Sequence, residues 1–451
     1  MSDHLDLLVI GAGACGLAAA ISAHDAGGNV AIIEKRATPG GNSSLSTGSI
    51  PGAGSRFQVA AGIKDSPEQM ISDLTAIAGD HDANNITSLI AHECGRLCEW
   101  LIDDLGARME LIIDYRHIGH SVERLHAPKS RRGQDLVDDL LKFVEERDIP
   151  LAVGNSAERL LTNKDGDVIG AVVAGVDVFS KKVLLATNGF AANRELVQRF
   201  CPEIANVEYF GAPGSTGDAI EWGQSLGADL GNMAAYQGYA AVAYPQGQLL
   251  SWTTIEKGGV LVGSDGERFG NEDDGYSGFA AQVRKQGEFA WAVYDEQIHA
   301  IALAEEEYAE MSNMGAIKWS NSLQGLAEKA NLPTKPLEET IRAYNKAATG
   351  SANDLYGRKK FEMAPLQAPY AIVQVKPGLF HTQGGLKVDN HARVMRKDGS
   401  IIKNLFAGGG AAAGISGAKG AMGYASGNGL ITALVLGRNG GLRAMHEINM
   451  Q

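Results

Sequence analysis

The first 34 residues constrain this chain more than any other stretch. Leu7-Leu8-Val9-Ile10 reads as a short buried strand. Gly11-Ala12-Gly13-Ala14-Cys15-Gly16 follows at once, and Leu17-Ala18-Ala19-Ala20-Ile21 continues as a helix-forming run. A second apolar run, Val30-Ala31-Ile32-Ile33, ends on Glu34, 18 residues after Gly16. Strand, glycine turn, helix, strand and acid, in that order, make a dinucleotide-binding fingerprint. The first glycine permits the tight turn, the second lets the backbone approach a pyrophosphate, and the third lets helix and strand pack closely. The helix N-terminus then faces the phosphate charge, and the acid is placed to hold ribose hydroxyls.

Composition agrees with such a fold. Glycine accounts for 57 of 451 residues, well above the usual share of about 7%. The 13 prolines show no collagen-like period, and 44% hydrophobic with 21% charged residues is ordinary globular usage. The formal charge of −13 argues against nucleic acid or an anionic membrane as a partner. No apolar run reaches the roughly 18 residues that span a bilayer. Met1-Ser2-Asp3-His4 lacks the basic start of a signal peptide, so the expected compartment is the cytoplasm. Cys15, Cys94, Cys98 and Cys201 are few for this length, and Cys94 and Cys98, four apart, read as core thiols. No metal site is expected.

The nucleotide reads as FAD. After Glu34, Lys35-Arg36 leads to a glycine pair and small polar residues, Gly40-Gly41-Asn42-Ser43-Ser44, suited to a chain running along an extended dinucleotide. Lys182–Ala186 closes into Thr187-Asn188-Gly189, and Asn404–Ala407 closes into Gly408-Gly409-Gly410. Three glycine-closed strands point to a large FAD fold, and no second fingerprint for a nicotinamide cofactor is visible. Other elements are coarser. Asp135–Arg147 is an amphipathic helix, Asp165-Gly166 turns a hairpin within Leu160–Val173, and Pro336 opens a helix.

These landmarks carry a family resemblance. With Ser215-Thr216-Gly217-Asp218-Ala219, Gly266-Glu267-Arg268-Phe269-Gly270-Asn271-Glu272, His381-Thr382-Gln383-Gly384-Gly385-Leu386 and Gly427-Asn428-Gly429-Leu430, the chain resembles the fumarate reductase/succinate dehydrogenase flavoprotein superfamily over nearly its whole length. The resemblance implies an α/β fold: a Rossmann-like FAD-binding domain of the GR2 type, interrupted by an α+β capping domain. The expected division is 1–235 and 375–451 for the FAD domain and 236–374 for the cap. It implies FAD held by Gly11, Gly13, Ala14, Cys15, Gly16, Glu34, Lys35 and Arg36. Gly41, Asn42, Ser43, Ser44, Thr47 and Gly48 follow along the chain. Further contacts are implied at Ala157, Thr187, Asn188, Gly189, Asn193, Thr216, Gly217 and Asp218. The list ends with His381, Gly409, Gly410, Gly427, Asn428, Gly429 and Leu430. Some relatives attach FAD through a histidine near the second glycine pair. None stands there in this sequence, so non-covalent FAD is expected.

The departures from that family speak to substrate. Tyr276 stands where the family has a proton-donating arginine after the Arg-Phe-x-Asn-Glu element. Tyr424 stands where a second arginine clamps a substrate carboxylate. Dicarboxylates need such cations. Two phenols suit a ketone and resemble the 3-ketosteroid dehydrogenase branch, in which one tyrosine abstracts the α-proton and a second holds the carbonyl oxygen. On this reading Tyr276 is the base and Tyr424 the donor, with the amides near Gly427 and Asn428 completing the oxyanion site. Tyr115 and Tyr239 are candidates to assist the base, and His381 is a further site candidate. The expected reaction forms a C=C bond α,β to the ketone of a cyclic substrate, with hydride passing to flavin N5. Electrons then leave to a quinone, dye, oxygen or redox protein. An ene-reductase of an unsaturated acid or enone, and a non-catalytic flavin-binding redox sensor or partner subunit, are the alternatives.

Several residues carry two readings. Arg124 and His126 either bind a carboxylate or belong to a solvated polar loop. Arg268 is expected to pair with an acid such as Glu272. Tyr236, Tyr239, Tyr244 and Trp252 either line an apolar pocket or fill the cap's core.

Overall fold

The structure is a computed structural model that describes residues 5–113 and 116–450. The chain divides into two compact units, Met1–Pro202 with Gly211–Tyr236 and His381–Gln451, and Glu203–Phe210 with Gln237–Phe380. The second crossing falls at 380/381 rather than near 375 because Tyr370–Thr382 is one unbroken strand. The short segment 203–210 joins the second unit because Glu208 and Tyr209 pair with Gly378 and Leu379 of that strand.

The first unit is built on a parallel sheet. Leu5–Ile10 lies between Val30–Glu34 and Val176–Leu185, all parallel. Leu151–Val153 extends the sheet on one side and Ile401–Ala407 on the other. Strands buried on both faces read as continuous apolar runs, and Leu7 to Ile10 is fully buried. Ala157–Thr162 and Val168–Val173 form the expected hairpin, which joins the sheet through Val176–Leu185.

Helix Ala14–Asp25 starts directly at the glycine turn and is buried over almost its whole length. The last helix, Asn428–Asn449, lies on it at backbone distance. A Cβ at Gly437 would stand 2.2 Å from the Cys15 carbonyl oxygen, and one at Gly441 2.3 Å from that of Ala19. Two glycines one turn apart therefore let the helices touch, and this contact registers the start of the last helix against the fingerprint.

In the second unit Ala290–Asp295 runs antiparallel between Val260–Val262 and Tyr370–Thr382. Ala234–Ala243 lies beside Tyr370–Thr382. Helices Gly275–Lys285 and Thr334–Ala348 complete the α+β unit. Among the described residues, no helix is long and apolar enough to cross a membrane.

Candidate active site

The glycine turn separates packing from binding. At Gly11 (φ +111°) a Cβ would lie 2.3 Å from the Ala186 carbonyl oxygen, and at Gly16 only 1.8 Å from that of Gly11. Both must be glycine for the turn to close. Gly13 has ordinary extended backbone (φ −84°, ψ −178°), and the nearest atom to a Cβ there is 3.5 Å away. Nothing within the protein requires glycine at 13. The space a Cβ would fill is the place the fingerprint assigns to the pyrophosphate.

The expected cofactor residues fall together in the first unit. The Glu34 carboxylate accepts from the Ala12 and Arg36 amides at 2.9 and 2.8 Å, which fixes it at the end of its strand. Ser43 Oγ accepts from the Ala14 amide at 3.1 Å, and Asn42 Oδ1 from Ala212 N at 2.6 Å. Ser44 donates to the Gly41 carbonyl and Thr47 to Ser49. Gly48 sits against Pro128. Lys35 Nζ lies 2.7 Å from Thr216 Oγ1 and 2.8 Å from Asp218 Oδ2, next to Gly217. Asn193 caps the helix Arg194–Phe200 and donates to the Thr216 carbonyl. Asn188 adopts φ +65° and accepts from the Gly189 amide. Cys15 is buried at the start of its helix, and burial pushes its thiol up to about 12, so it stays a thiol. Ala157 opens the hairpin.

The buried polar atoms of this unit with no hydrogen-bond partner include three within the expected cofactor segments: Thr187 Oγ1, Gln383 Nε2 and Asn428 Oδ1. A buried polar atom left unpaired costs about 1–3 kcal/mol, so a missing partner is implied. Flavin ring edges alternate carbonyl oxygens with ring nitrogens, and such edges satisfy a donor, an acceptor and a hydroxyl. The residues therefore fit the cofactor. Gln383 was not among the expected contacts, although it lies inside the quoted His381–Leu386 motif. His381 Nδ1 is 3.3 Å from the Thr382 carbonyl, and its Nε2 is 3.5 Å from where a Gly429 Cβ would stand. Burial holds its pKa below the ordinary histidine value. Gly429 and Leu430 form the first turn of the last helix, after Gly427 (φ +82°), with Gly409 and Gly410 in a separate short turn.

The stretch from His120 to His126 corrects the sequence reading. Ser121 is exposed, but Arg124 and His126 are neither solvated nor open to a substrate carboxylate. Arg124 is fully buried, with two bonds to Asp65 at 2.9 and 2.8 Å and a third to Asp73 at 2.8 Å. His126 is also fully buried, with Nδ1 3.1 Å from the Arg124 carbonyl and Nε2 3.2 Å from Ser55 Oγ. Burial holds its pKa at about 4. Tyr115 lies outside the described residues. Tyr424 is half-buried, four residues before Asn428.

In the second unit Tyr276 stands in the first turn of helix Gly275–Lys285. The ground before it is fixed by charge. Arg268 grips Glu272 through two bonds (3.0 and 2.6 Å) and Asp354 at 2.5 Å, all nearly out of solvent. The expected Arg268–Glu272 pair is thus a structural brace. The Tyr276 ring lies 5.1 Å from that of Tyr239 and 6.4 Å from that of Trp252. Tyr239 stacks on Phe380 at 5.3 Å and 5°, a partner the sequence reading missed. The Tyr239 hydroxyl donates to the Leu250 carbonyl at 2.9 Å. Burial and the carboxylates of Glu305 and Glu307 push its pKa up, so it stays a neutral phenol. Tyr239 and Trp252 are both core and wall of this aromatic cluster, whereas Tyr236 is fully buried and Tyr244 is 40% exposed. Among the described residues, no cluster of three or more His, Cys, Asp or Glu could hold a metal ion.

Comparison with known proteins decides the family. The FAD binding domain family matches residues 6–426. The chain belongs to that family. The flavoprotein is 29% identical to a probable fumarate reductase of Shewanella frigidimarina, over 98% of this chain and 74% of that one. Its fold superposes on the open conformation of a flavocytochrome c3 fumarate reductase with a TM-score of 0.82, at 27% identity, over 99% of this chain and 78% of the other. A 3-ketosteroid-Δ4-(5α)-dehydrogenase from Rhodococcus jostii RHA1 in complex with 4-androstene-3,17-dione gives a TM-score of 0.79. There the identity is 25%, over 99% and 98% of the two chains. The flavoprotein is therefore an FAD-dependent oxidoreductase acting on CH–CH bonds, built on the Rossmann-like FAD fold expected from its sequence.

Proposed function

We propose that this flavoprotein forms a C=C bond α,β to the ketone of a cyclic substrate. The observation that carries the reading is the setting of Tyr276: a phenol in the first turn of a helix, walled by Tyr239 and Trp252. An apolar aromatic wall favours a neutral ring over a dicarboxylate. A phenolate forming at Tyr276 sits at the positive end of its helix dipole.

In this mechanism Tyr276 takes the proton α to the carbonyl. The Tyr424 hydroxyl and the Gly427 amide hold the carbonyl oxygen as charge gathers on it; the Asn428 amide, expected to join them, is instead given to the Ala425 carbonyl at 3.2 Å. Bound FAD, non-covalently held, supplies the redox step by accepting the β-hydrogen with its electron pair. His381, kept neutral by burial, borders the first turn of the last helix without adding charge. Electrons leave to a quinone, a dye, oxygen or a redox protein. Anaerobic mixing with 5α-androstane-3,17-dione, cyclohexanone and 4-oxocyclohexane carboxylate tests the reading. Bleaching of the visible flavin band by one of these ketones supports it. Bleaching by none of them, with ready reoxidation of the reduced enzyme by fumarate, overturns it.

The likeness to fumarate reductases supports a second reading, the reverse reduction of an unsaturated acid or enone. Oxidation of a reduced dye driven by an enone, without ketone oxidation, distinguishes it.

A further inference from the structure

Segments 118–121 and 424–427 lie side by side in the first unit. The Ser426 amide donates to the Ile118 carbonyl at 3.0 Å, and His120 Nε2 lies 2.8 Å from the Ser426 carbonyl oxygen. A Cβ on Gly119 would come within 2.4 Å of the Ala425 Cβ, so the two segments touch directly. A carbonyl only accepts, so Nε2 carries the ring proton. Nδ1 lies 3.3 Å from Arg124 Nη1. A guanidinium only donates, so Nδ1 is bare. The ring is thus held neutral and in one tautomer. Burial above all keeps its pKa at about 4, and the Arg124 charge adds to this. Arg124 cannot swing away, because Asp65 holds its Nε and Nη2 and Asp73 holds Nη1 itself. Asp73 is itself fixed by the Ser121 amide and hydroxyl at 2.9 and 2.8 Å.

The Ser426 carbonyl and the Gly427 amide belong to one planar trans peptide, in which C=O and N–H point in opposite directions. Gly427 has φ +82°, and a peptide next to glycine turns over more readily than any other. Holding the carbonyl on one side therefore aims the Gly427 N–H to the other. We infer that His120 is a positioning residue: through the Ser426 carbonyl it locks the Ser426–Gly427 peptide, and so aims the Gly427 amide at the substrate oxygen. This rests on the reading of the 424–428 segment as the carbonyl-holding part of the site.

Three variants test it: His120→Leu, which removes the donor, His120→Gln, which can donate from near the Nε2 position, and His120→Asn, which cannot reach. The readouts are FAD content, kcat and KM for a ketone the wild type oxidises, and the Kd for p-nitrophenolate, a planar anion resembling the enolate. In the Leu and Asn variants kcat is expected to fall by about 10- to 100-fold, somewhat less than loss of an oxyanion donor. KM stays within about threefold, p-nitrophenolate binds about tenfold more weakly, and FAD content is unchanged. His120→Gln returns both parameters to within about threefold of wild type. Should His120→Leu fail to fold, the Asn and Gln pair decides. Wild-type kcat and Kd in the Asn variant, or a Gln variant as impaired as Asn, overturns the inference. Tyr424→Phe serves as the companion. If it is impaired while His120→Asn is not, the inference fails alone. If Tyr424→Phe also matches wild type, the reading of the segment fails and takes the inference with it.

Discussion

The rings of Tyr239 and Tyr276 lie 5.1 Å apart at a tilt of 35°, with the Tyr239 hydroxyl donated to the Leu250 carbonyl. The two phenols therefore have different tasks. Tyr239 stays protonated and ties its strand to the Leu250–Trp252 turn, while the proposed chemistry falls to the neighbouring ring. Tyr276→Phe is expected to lower kcat by about 10²–10⁴, as for loss of a positioned general base, with substrate still binding. Tyr239→Phe leaves the Leu250 carbonyl short of a donor, which costs about 1–3 kcal/mol, and should lower the melting temperature more than it lowers kcat. Steady-state rates beside thermal melts check the pair. An equal loss of kcat in both variants contradicts the division of roles.

The glycines of the turn make a second contrast. A Cβ at Gly13 meets no protein atom closer than ordinary contact, so the Gly13→Val apoprotein should fold with an unchanged far-UV spectrum yet retain no FAD. Gly16→Val drives a side chain into the Gly11 carbonyl and should prevent folding. Soluble yield, circular dichroism and bound flavin after gel filtration check both. In the wild type, acid should release all of the flavin, because Asn42-Ser43-Ser44 offers no histidine for a covalent link.

Much of this was legible in the sequence, and the parts that were not share a cause. The strand–turn–helix unit, the hairpin at Asp165-Gly166 and the Arg268–Glu272 pair all involve residues close in the chain, so spacing alone foretells them. Arg124 was misread because its partners, Asp65 and Asp73, lie 59 and 51 residues away. A cation in a polar-looking run gives no local sign that distant carboxylates will bury it. Phe380 was missed for the same reason, since it reaches Tyr239 only through the pairing of two remote strands. The orphaned Gln383 Nε2 is visible only once the partners of the surrounding polar atoms are known.

Histidine burial sets a pH dependence of stability. His120 and His126 are held at about 4 in the folded protein, against about 6.5 in an unfolded chain. Between those values the unfolded state binds more protons. Stability therefore rises with pH across the window and is lost as pH falls from about 6.5 towards 4. Each histidine contributes at most about 1.4 kcal/mol per pH unit to the slope. His126→Asn, which keeps a donor near Nδ1 for the Arg124 carbonyl, should flatten the slope between pH 4 and 6.5 without shifting it above pH 7. Urea melts at half-unit pH steps measure it. An unchanged slope would mean that His126 titrates alike in both states.

The last prediction concerns charge. Fumarate and succinate carry two negative charges, and a site for them needs cations in bidentate reach. On the proposed reading Tyr276 and Tyr424 occupy the two positions at which arginines are expected. The charges acting on Tyr239, the neighbour of Tyr276, are the carboxylates of Glu305, Glu307 and Glu256. Glu305 is held there by the hydroxyls of Ser251 and Thr253 at 2.8 and 2.6 Å, so it cannot easily swing aside. A dicarboxylate would meet aromatic rings and like charge. Its kcat/KM should fall at least about 10²-fold below that of a neutral cyclic ketone or enone, a difference of roughly 2.7 kcal/mol in transition-state binding. Added salt should narrow the gap by screening the carboxylates. Glu305→Gln should narrow it as well, and should leave the neutral substrate's KM within about threefold. Dye-coupled assays with fumarate, succinate and a neutral enone at two ionic strengths make the comparison. Brisk fumarate reduction that is indifferent to salt and to Glu305 would show that another cation serves the carboxylates and that the two phenols do not select the substrate.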